Sequence, residues 1–166
     1  TGEAKDLGSL TQSRYNTGCA SSPTRALAMG GANPTTNIID YVTIATTGNA
    51  QDFGDLVTGS DNNNACGNSI RAINASAGSE VEYVTISTLG RAIDFATNTN
   101  AGGNAANAAL SAPTRFVIAG GGGSPGSVNN IISYITVQTG GDFVDFGDLL
   151  EPIQSHAGMS NCNGGL

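Results

Sequence analysis

Short apolar stretches alternate with polar punctuation along the whole chain. The stretches are rich in Ile, Val, Thr and Tyr, and they are bounded by Gly, Pro and Asn, the residues that favour turns. No stretch keeps an amphipathic helical pattern for three turns. The pattern therefore predicts an all-β protein with many tight loops.

The stretch from residue 38 to 46 indicates how the sheets are covered. Successive side chains of a strand point to opposite faces of the sheet. Both faces are at least half apolar here, one carrying Ile39, Tyr41 and Thr43 and the other carrying Asp40, Val42 and Ile44. We therefore expect this strand to lie in a sheet that is covered on both sides.

Three short motifs recur along the chain with a period of about 45 residues, which is a repeat length typical of stacked β units. The first is an Asp-Phe-Gly-Asp-Leu pentapeptide, the second is centred on a tyrosine, and the third starts with an arginine. The pentapeptide stands at 52–56 and 145–149, with degenerate copies at 94–98 and 6–10; the tyrosines are Tyr41, Tyr83 and Tyr134; the arginines are Arg25, Arg71 and Arg115.

Each period is interpreted as four short strands, which we call A, B, C and D. In the first unit they lie near Tyr15–Ala20, Arg25–Gly30, Ile38–Thr46 and Asp52–Leu56. The whole chain, 1–166, is expected to form a single repeat domain with units at about 11–56, 57–98 and 99–149. The terminal strands, within 5–10 and 150–166, are a D strand and an A strand, so they predict a split fourth unit without B or C.

The order of these motifs resembles a kelch repeat, in which an arginine opens an apolar strand ending in Gly-Gly and a tyrosine-bearing strand follows. The chain departs from the common kelch pattern in the last strand, where phenylalanine stands instead of tryptophan; these residues are Phe53, Phe95 and Phe146. The amino-acid sequence at 39–56 is similar to Gly-Asp-Leu type repeats in structural proteins of marine tailed bacteriophages, including cyanobacterial ones. The resemblance implies kelch-like β-propeller blades, three four-stranded repeats plus a split fourth; the alternative is a three-sheet β-prism.

The same resemblance implies a function on a virus particle. The chain would be a virion structural or surface protein, namely a tail fibre, tail tip or capsid-surface component, in contact with other virion proteins and with a host surface glycan as a further partner. The first alternative is a secreted carbohydrate-binding β-propeller module, which the lack of Trp and the 5% aromatic content disfavour. The second is a propeller enzyme such as a copper oxidase, which needs several histidine metal ligands, whereas the sequence has a single histidine, His156.

Charge narrows the range of partners. The net charge is −7 and Lys5 is the only lysine, so the surface repels nucleic acid and anionic membranes. No apolar run approaches the roughly 20 residues of a membrane-spanning helix. Because the sequence starts at Thr1 and the fourth unit is split, we expect either a missing N-terminal region or a homo-oligomer to complete it.

Several motifs match the patterns of known sites, but we interpret them as parts of strands and turns. No catalytic, cofactor-binding or metal residue is assigned. The glycine run at 121–126 aligns with the turn at 30–34, and the Asp-Phe-Gly motif recurs, unlike the single copy in a kinase. The segment 61–66 lacks most ligands of a calcium loop. A different calcium site remains open, with oxygens from Asp52, Asp55, Asp145 or Asp148.

Two further expectations concern side-chain partners. The arginines that recur once per unit, Arg25, Arg71 and Arg115, are expected to pair with a carboxylate in each repeat. Cys19 and Cys66 are expected at equivalent A-strand positions and Cys162 in the fourth A strand. Adjacent units would then hold the three thiols too far apart for an intramolecular disulfide, which needs Cα atoms within about 7 Å.

Overall fold

The computed structural model describes residues 2–76, 79–98, 107–122 and 128–160. These residues form twelve β-strands and no helix, so none of them forms a helix able to cross a membrane. The strands are β1 (Gly18–Ser21), β2 (Arg25–Gly31), β3 (Thr36–Thr43), β4 (Gln51–Ser60), β5 (Asn64–Gly67), β6 (Arg71–Ala75), β7 (Glu80–Thr85), β8 (Ile93–Thr97), β9 (Ala108–Ser111), β10 (Arg115–Ala119), β11 (Ile131–Thr136) and β12 (Val144–Asp148).

The strands form three antiparallel four-stranded sheets, each following chain order. Unit 1 is β1–β4, unit 2 is β5–β8 and unit 3 is β9–β12. The second and third strands pair in the same register in every unit. The opening arginine faces a threonine each time: Arg25 faces Thr43, Arg71 faces Thr85, and Arg115 faces Thr136. The all-β class and the four-stranded repeat are confirmed.

Apolar side chains from neighbouring sheets form two cores. The first lies between units 1 and 2, where Leu27 and Phe53 pack in one cluster with Val84. The second lies between units 2 and 3, where Val81 packs in one cluster with Phe116. Unit 2 is therefore covered on both faces, whereas the strand at 38–46, for which we expected such cover, lies in unit 1 and has Ile44 46% exposed. In the part of the chain that the structure describes, units 1 and 3 each have one face that no neighbouring four-stranded sheet covers.

The N-terminal segment 6–10 extends this series beyond unit 1. The carbonyl oxygens of Leu7 and Ser9 accept hydrogen bonds from the backbone N–H groups of Gly48 and Ala50, at 2.8 and 2.9 Å. In the same way, β4 carbonyls at 53 and 55 accept from the N–H groups at 90 and 92 in unit 2. Segment 6–10 therefore lies against unit 1 as β4 lies against unit 2, although it is not itself a regular strand.

The C-terminal segment 153–158 extends the series beyond unit 3. Ser155 has a φ of 57°, and Asn16, just before β1, has a φ of 56°. A side chain added at Gly120 would meet the Ile153 carbonyl and the His156 ring. A side chain added at Gly30, the matching position in unit 1, would meet Asn63, the residue just before β5. Segment 153–158 therefore lies beside unit 3 as the lead-in to β5 lies beside unit 1.

The expectation that Cys19 and Cys66 are equivalent is wrong by one residue. Cys19 faces Ala28 across the sheet, whereas Cys66 faces Ile73. Counted from the opening arginines, Ala28 is the fourth residue of its strand and Ile73 is the third, so the two thiols point to opposite faces. Both are free thiols, and Cys66 lies 2.9 Å from the Ser111 hydroxyl; the third cysteine, at 162, lies outside the described residues.

A buried ion pair secures the segment before β1. An Arg14 guanidinium nitrogen lies 3.0 Å from an Asp40 carboxylate oxygen, and both side chains are fully buried. Thr11 donates to the same carboxylate from its backbone N–H and from its hydroxyl. Breaking a buried pair from one side leaves a charge without its counter-charge, which costs about 3–5 kcal/mol.

We therefore predict that Arg14→Met lowers the free energy of unfolding by about 3–5 kcal/mol, measured by urea denaturation. Arg91→Ala is the matched control, because Arg91 is exposed and its loss should change stability by less than about 0.5 kcal/mol. Equal effects of the two substitutions would contradict a structural role for the buried pair.

Candidate functional site

The three recurring arginines contact aromatic rings. The guanidinium carbon of each arginine lies over the tyrosine of its own unit, 4.8, 4.5 and 4.5 Å from the ring centroid for the pairs Arg25–Tyr41, Arg71–Tyr83 and Arg115–Tyr134. Each tyrosine in turn makes an edge contact with the phenylalanine of the last strand. The expected Arg–carboxylate pairing is wrong: Arg14–Asp40 is the one ion pair that the described residues contain.

Two of these arginines also join neighbouring units. Arg25 donates to the Ile86 carbonyl at 2.8 Å, and Arg71 donates to the Val137 carbonyl of the next unit. Both acceptors directly follow the third strand of the neighbouring unit. Arg115 is exposed and shows only its ring contact in the part of the chain that the structure describes. The arginine is therefore a link between units wherever a following unit is present.

The recurring aspartates shape the strand that carries the pentapeptide. The carboxylates of Asp6, Asp52 and Asp145 accept hydrogen bonds from the backbone N–H two residues later, at 2.9–3.0 Å. These N–H groups belong to glycines with φ of 141–144°. The described residues contain no group of three or more His, Cys, Asp or Glu side chains arranged to hold a metal ion. The calcium hypothesis gains no support from this geometry.

Open space near the start of the first strands forms a polar pocket of about 330 Å³. Its lining comes from four segments, 17–19, 63–65, 107–109 and 156–158, three of which start or lead into a first strand. The fourth is the C-terminal segment that contains His156. This convergence brings together equivalent positions from the three units and the C-terminal segment, and we call the space the axial pocket.

Several polar atoms in the axial pocket have no hydrogen-bond partner. Both ring nitrogens of His156 and both amide atoms of Asn107 are buried and unpaired among the described residues. Asn63, at the matching place before β5, is paired: it donates to the Ser60 carbonyl and accepts from Asn74. The unpaired imidazole and amide can donate and accept hydrogen bonds, but no Asp or Glu lines the pocket to form a catalytic pair with the imidazole.

Sequence reasoning did not identify Asn107 as a site residue. A signal was present, because polar residues stand at the same place in each period: Thr17, Asn63 and Asn107 precede the first strands by one residue. The recurrence alone does not reveal that these positions meet in space, since that depends on how the sheets pack.

A second, apolar groove lies on the free face of unit 1. It has a volume of about 370 Å³, and its lining includes Leu10 of the N-terminal segment. The remaining walls are mainly small or branched side chains of unit 1, among them Ala26, Val42 and Ala50. Polar groups contribute little, so the groove suits apolar side chains rather than a charged ligand.

No protein-family model matches the chain, and no curated protein matches it in sequence. The site is therefore interpreted from its own geometry.

Glu82 is a buried carboxylate in the interface between units 1 and 2. It accepts hydrogen bonds from the backbone N–H groups of Val57 and Thr58, at 2.7 and 3.3 Å. Burial raises the pKa of Glu82 above its ordinary value of 4.5, the two hydrogen bonds oppose that rise, and the nearby Glu80 and Asp94 charges add to it. The folded protein therefore holds this proton more tightly than the unfolded chain does.

The raised pKa predicts a pH dependence of stability. The contribution of Glu82 is fully present below pH 4.5 and is lost as the pH rises through the raised pKa. We expect the free energy of unfolding to fall more between pH 4.5 and 7 in the wild type than in Glu82→Gln, measured by urea titrations at a series of pH values. The exposed Glu151→Gln variant should follow the wild type. Identical pH profiles of the wild type and Glu82→Gln would contradict the prediction.

Proposed function

We propose that the chain is a structural component of a virus particle, placed at a tail fibre, a tail tip or the capsid surface. The observation that carries the proposal is that the recurring residues make contacts within the fold. The arginines stack on tyrosines and link units, the aspartates accept a hydrogen bond from the backbone N–H two residues later, and the glycines permit close approach of neighbouring backbone. Chemistry that recurs with the fold and supports only the fold is typical of a scaffold. The resemblance to repeats of tailed-phage structural proteins supplies the location.

The finer architecture that we propose is a propeller-type arrangement with an incomplete fourth blade. Four equivalent segments converge on the axial pocket, which supports four positions around an axis. The three-sheet prism provides no position for the segments 6–10 and 153–158, which lie against units 1 and 3 as parts of a further unit.

Association with other proteins of the particle fits the surface chemistry. The chain carries few charges and exposes large apolar side chains along the C-terminal third, including Val144, Phe146 and Leu150. Apolar surface of this kind is typical of protein contacts, and the net negative charge disfavours nucleic acid as the partner.

The proposal predicts that the chain is a physical part of the particles made by the genome that encodes it. It should remain with purified particles through a density gradient, and gold-labelled antibodies against it should bind at the tail or on the capsid surface. An antibody against a non-particle protein of the same lysate is the control. Recovery of the chain only in the soluble fraction would refute the location.

A second candidate, a carbohydrate-binding module, is favoured by the unpaired amide and imidazole in the axial pocket. Hydroxyl groups of a sugar both donate and accept hydrogen bonds, as these side chains do. If a glycan binds there, Asn107→Ala should weaken its binding on a glycan array by about tenfold or more, the loss expected for one or two hydrogen bonds. The exposed Asn49→Ala variant is the control. Equal glycan binding by both variants would remove this candidate.

A further inference from the structure

We propose that the gap between unit 3 and unit 1 binds a two-stranded β-hairpin of the same repeat type, carried by another polypeptide. The hairpin would supply the second and third strands of the fourth unit, between the segments 153–158 and 6–10. This inference rests on the contacts between units and not on the assignment to a virus particle.

The free face of unit 3 forms one wall of the gap. Phe53 and Phe146 occupy the same place in the last strands of units 1 and 3, but Phe53 is 2% exposed and Phe146 is 61% exposed. Unit 2 covers Phe53, whereas none of the three described sheets covers Phe146. This wall therefore has the composition of a unit interface without its partner.

A glycine on this wall leaves room for an incoming turn. A side chain added at Gly54 would overlap the Gly90 carbonyl of unit 2, and one added at Gly8 would overlap the Gly48 carbonyl of unit 1. Gly147 has the same φ as Gly54, 141°, but no described atom lies within 4 Å of the place where its side chain would stand. The backbone there is shaped to receive the glycine turn that precedes a last strand.

Arg115 provides a hydrogen-bond donor on the same wall. Its counterparts Arg25 and Arg71 each donate to the carbonyl that follows the third strand of the next unit. Arg115 stacks on Tyr134 in the same way and is exposed. The end of the third strand in an incoming hairpin would present such a carbonyl to it.

The apolar groove on unit 1 forms the opposite wall. Its residues Ala26 and Val42 stand at the places that Ala72 and Val84 hold in unit 2, where the side chains of Leu27 and Met29 complete the core. Beside the groove, Ile44 is 46% exposed, whereas Ile86, its counterpart in unit 2, is 1% exposed. The groove therefore has space for two large apolar side chains from the second strand of the fourth unit, which is the first strand of the incoming hairpin.

The two terminal segments define what is missing between these walls. Segment 153–158 holds the place of a first strand and segment 6–10 holds the place of a last strand, so two central strands remain. The described residues form three such strand pairs, β2–β3, β6–β7 and β10–β11, and each is already hydrogen-bonded on both sides within its own sheet. A folded second copy of these residues therefore has no free hairpin to donate, so the occupant that we propose is a hairpin carried by a different polypeptide.

The occupant follows from the chemistry of the walls. Its first strand carries two large apolar residues in alternation, as Leu27 and Met29 do in β2. Its second strand ends in a free carbonyl, and a glycine turn follows. The backbone of both strands would pair with the terminal segments by strand addition, a common mode of peptide recognition.

The test uses the full chain and a synthetic peptide with the sequence of residues 22–51, the hairpin and turn of unit 1. We expect saturable binding that protects β12 and segment 6–10 from amide hydrogen exchange. Phe146→Ser should weaken binding at least tenfold, as the loss of a buried phenyl ring implies. Ile70→Ser is the matched control, because Ile70 is 62% exposed and lies in the β5–β6 turn of unit 2. A peptide with Asp at the positions of Leu27 and Met29 should not bind.

A covalent version avoids reliance on peptide solubility. A chain extended after its last residue by a copy of residues 22–51 should have a higher Tm than the original, and β12 should become protected from exchange. An unchanged Tm without new protection, or equal peptide binding by the wild type and Phe146→Ser, would overturn the proposal. Self-association of the peptide-free chain that Phe146→Ser abolishes, seen by light scattering, would assign the surface to a second copy and also overturn it. The test for particle association can fail independently of these outcomes.

Discussion

The packing of one sheet face against another is the interaction on which the rest of this structure depends. Every unit carries apolar side chains on both faces, so a single unit cannot bury its own core. Val81 and Val84 of β7 illustrate this, because they belong to two different cores, one shared with unit 3 and the other with unit 1. Stability therefore arises between units, as in other repeat proteins, and the units at the two ends of the series have to be covered in some other way.

Buried carboxylates mark the places where the chain crosses from one unit to the next. Asp40 and Glu82 hold the same position in the third strands of units 1 and 2, and each accepts hydrogen bonds from residues that directly follow a copy of the pentapeptide, Thr11 after 6–10 and Val57 and Thr58 after 52–56. Asp40 also has Arg14 as a counter-charge, whereas Glu82 has two amide donors and no counter-charge among the described residues. This position in the third strand requires a hydrogen-bond acceptor for the backbone N–H groups beside it. The negative charge of the carboxylate that accepts them is compensated differently in the two units.

The fold class was predictable from the sequence because its signals are local. Strands of alternating pattern, glycine turns and a period of about 45 residues fix the four-stranded units without any knowledge of packing. The partners of Arg25 and Arg71 were not predictable in this way. A carboxylate is the usual expectation for arginine, but Tyr41 and Tyr83 stand on the neighbouring strand in a register that brings the ring beneath the guanidinium. The position of Cys66, one residue out of step with Cys19, likewise depends on pairing register.

The candidate site was less predictable, since it depends on tertiary convergence. His156 is an isolated histidine in the sequence, and only the folded chain brings it to the same pocket as Asn107. Within the axial pocket, the side chains with incomplete hydrogen bonds are Asn107, at the start of unit 3, and His156, in the C-terminal segment. Asn63, between units 1 and 2, is fully engaged.

Large apolar side chains are uncovered at both ends of the series of sheets. Phe146 is exposed on unit 3 and Ile44 on unit 1, while their counterparts Phe53 and Ile86 are buried where a following or preceding unit is present. A fold that was merely loosely packed would distribute such defects among all units. Here Phe53 and Ile86 are buried at the interface between units 1 and 2, whereas the same positions are exposed where the series of sheets would close. The same physical requirement that forms the two cores, the burial of both faces of every sheet, therefore points to a missing element at this one position.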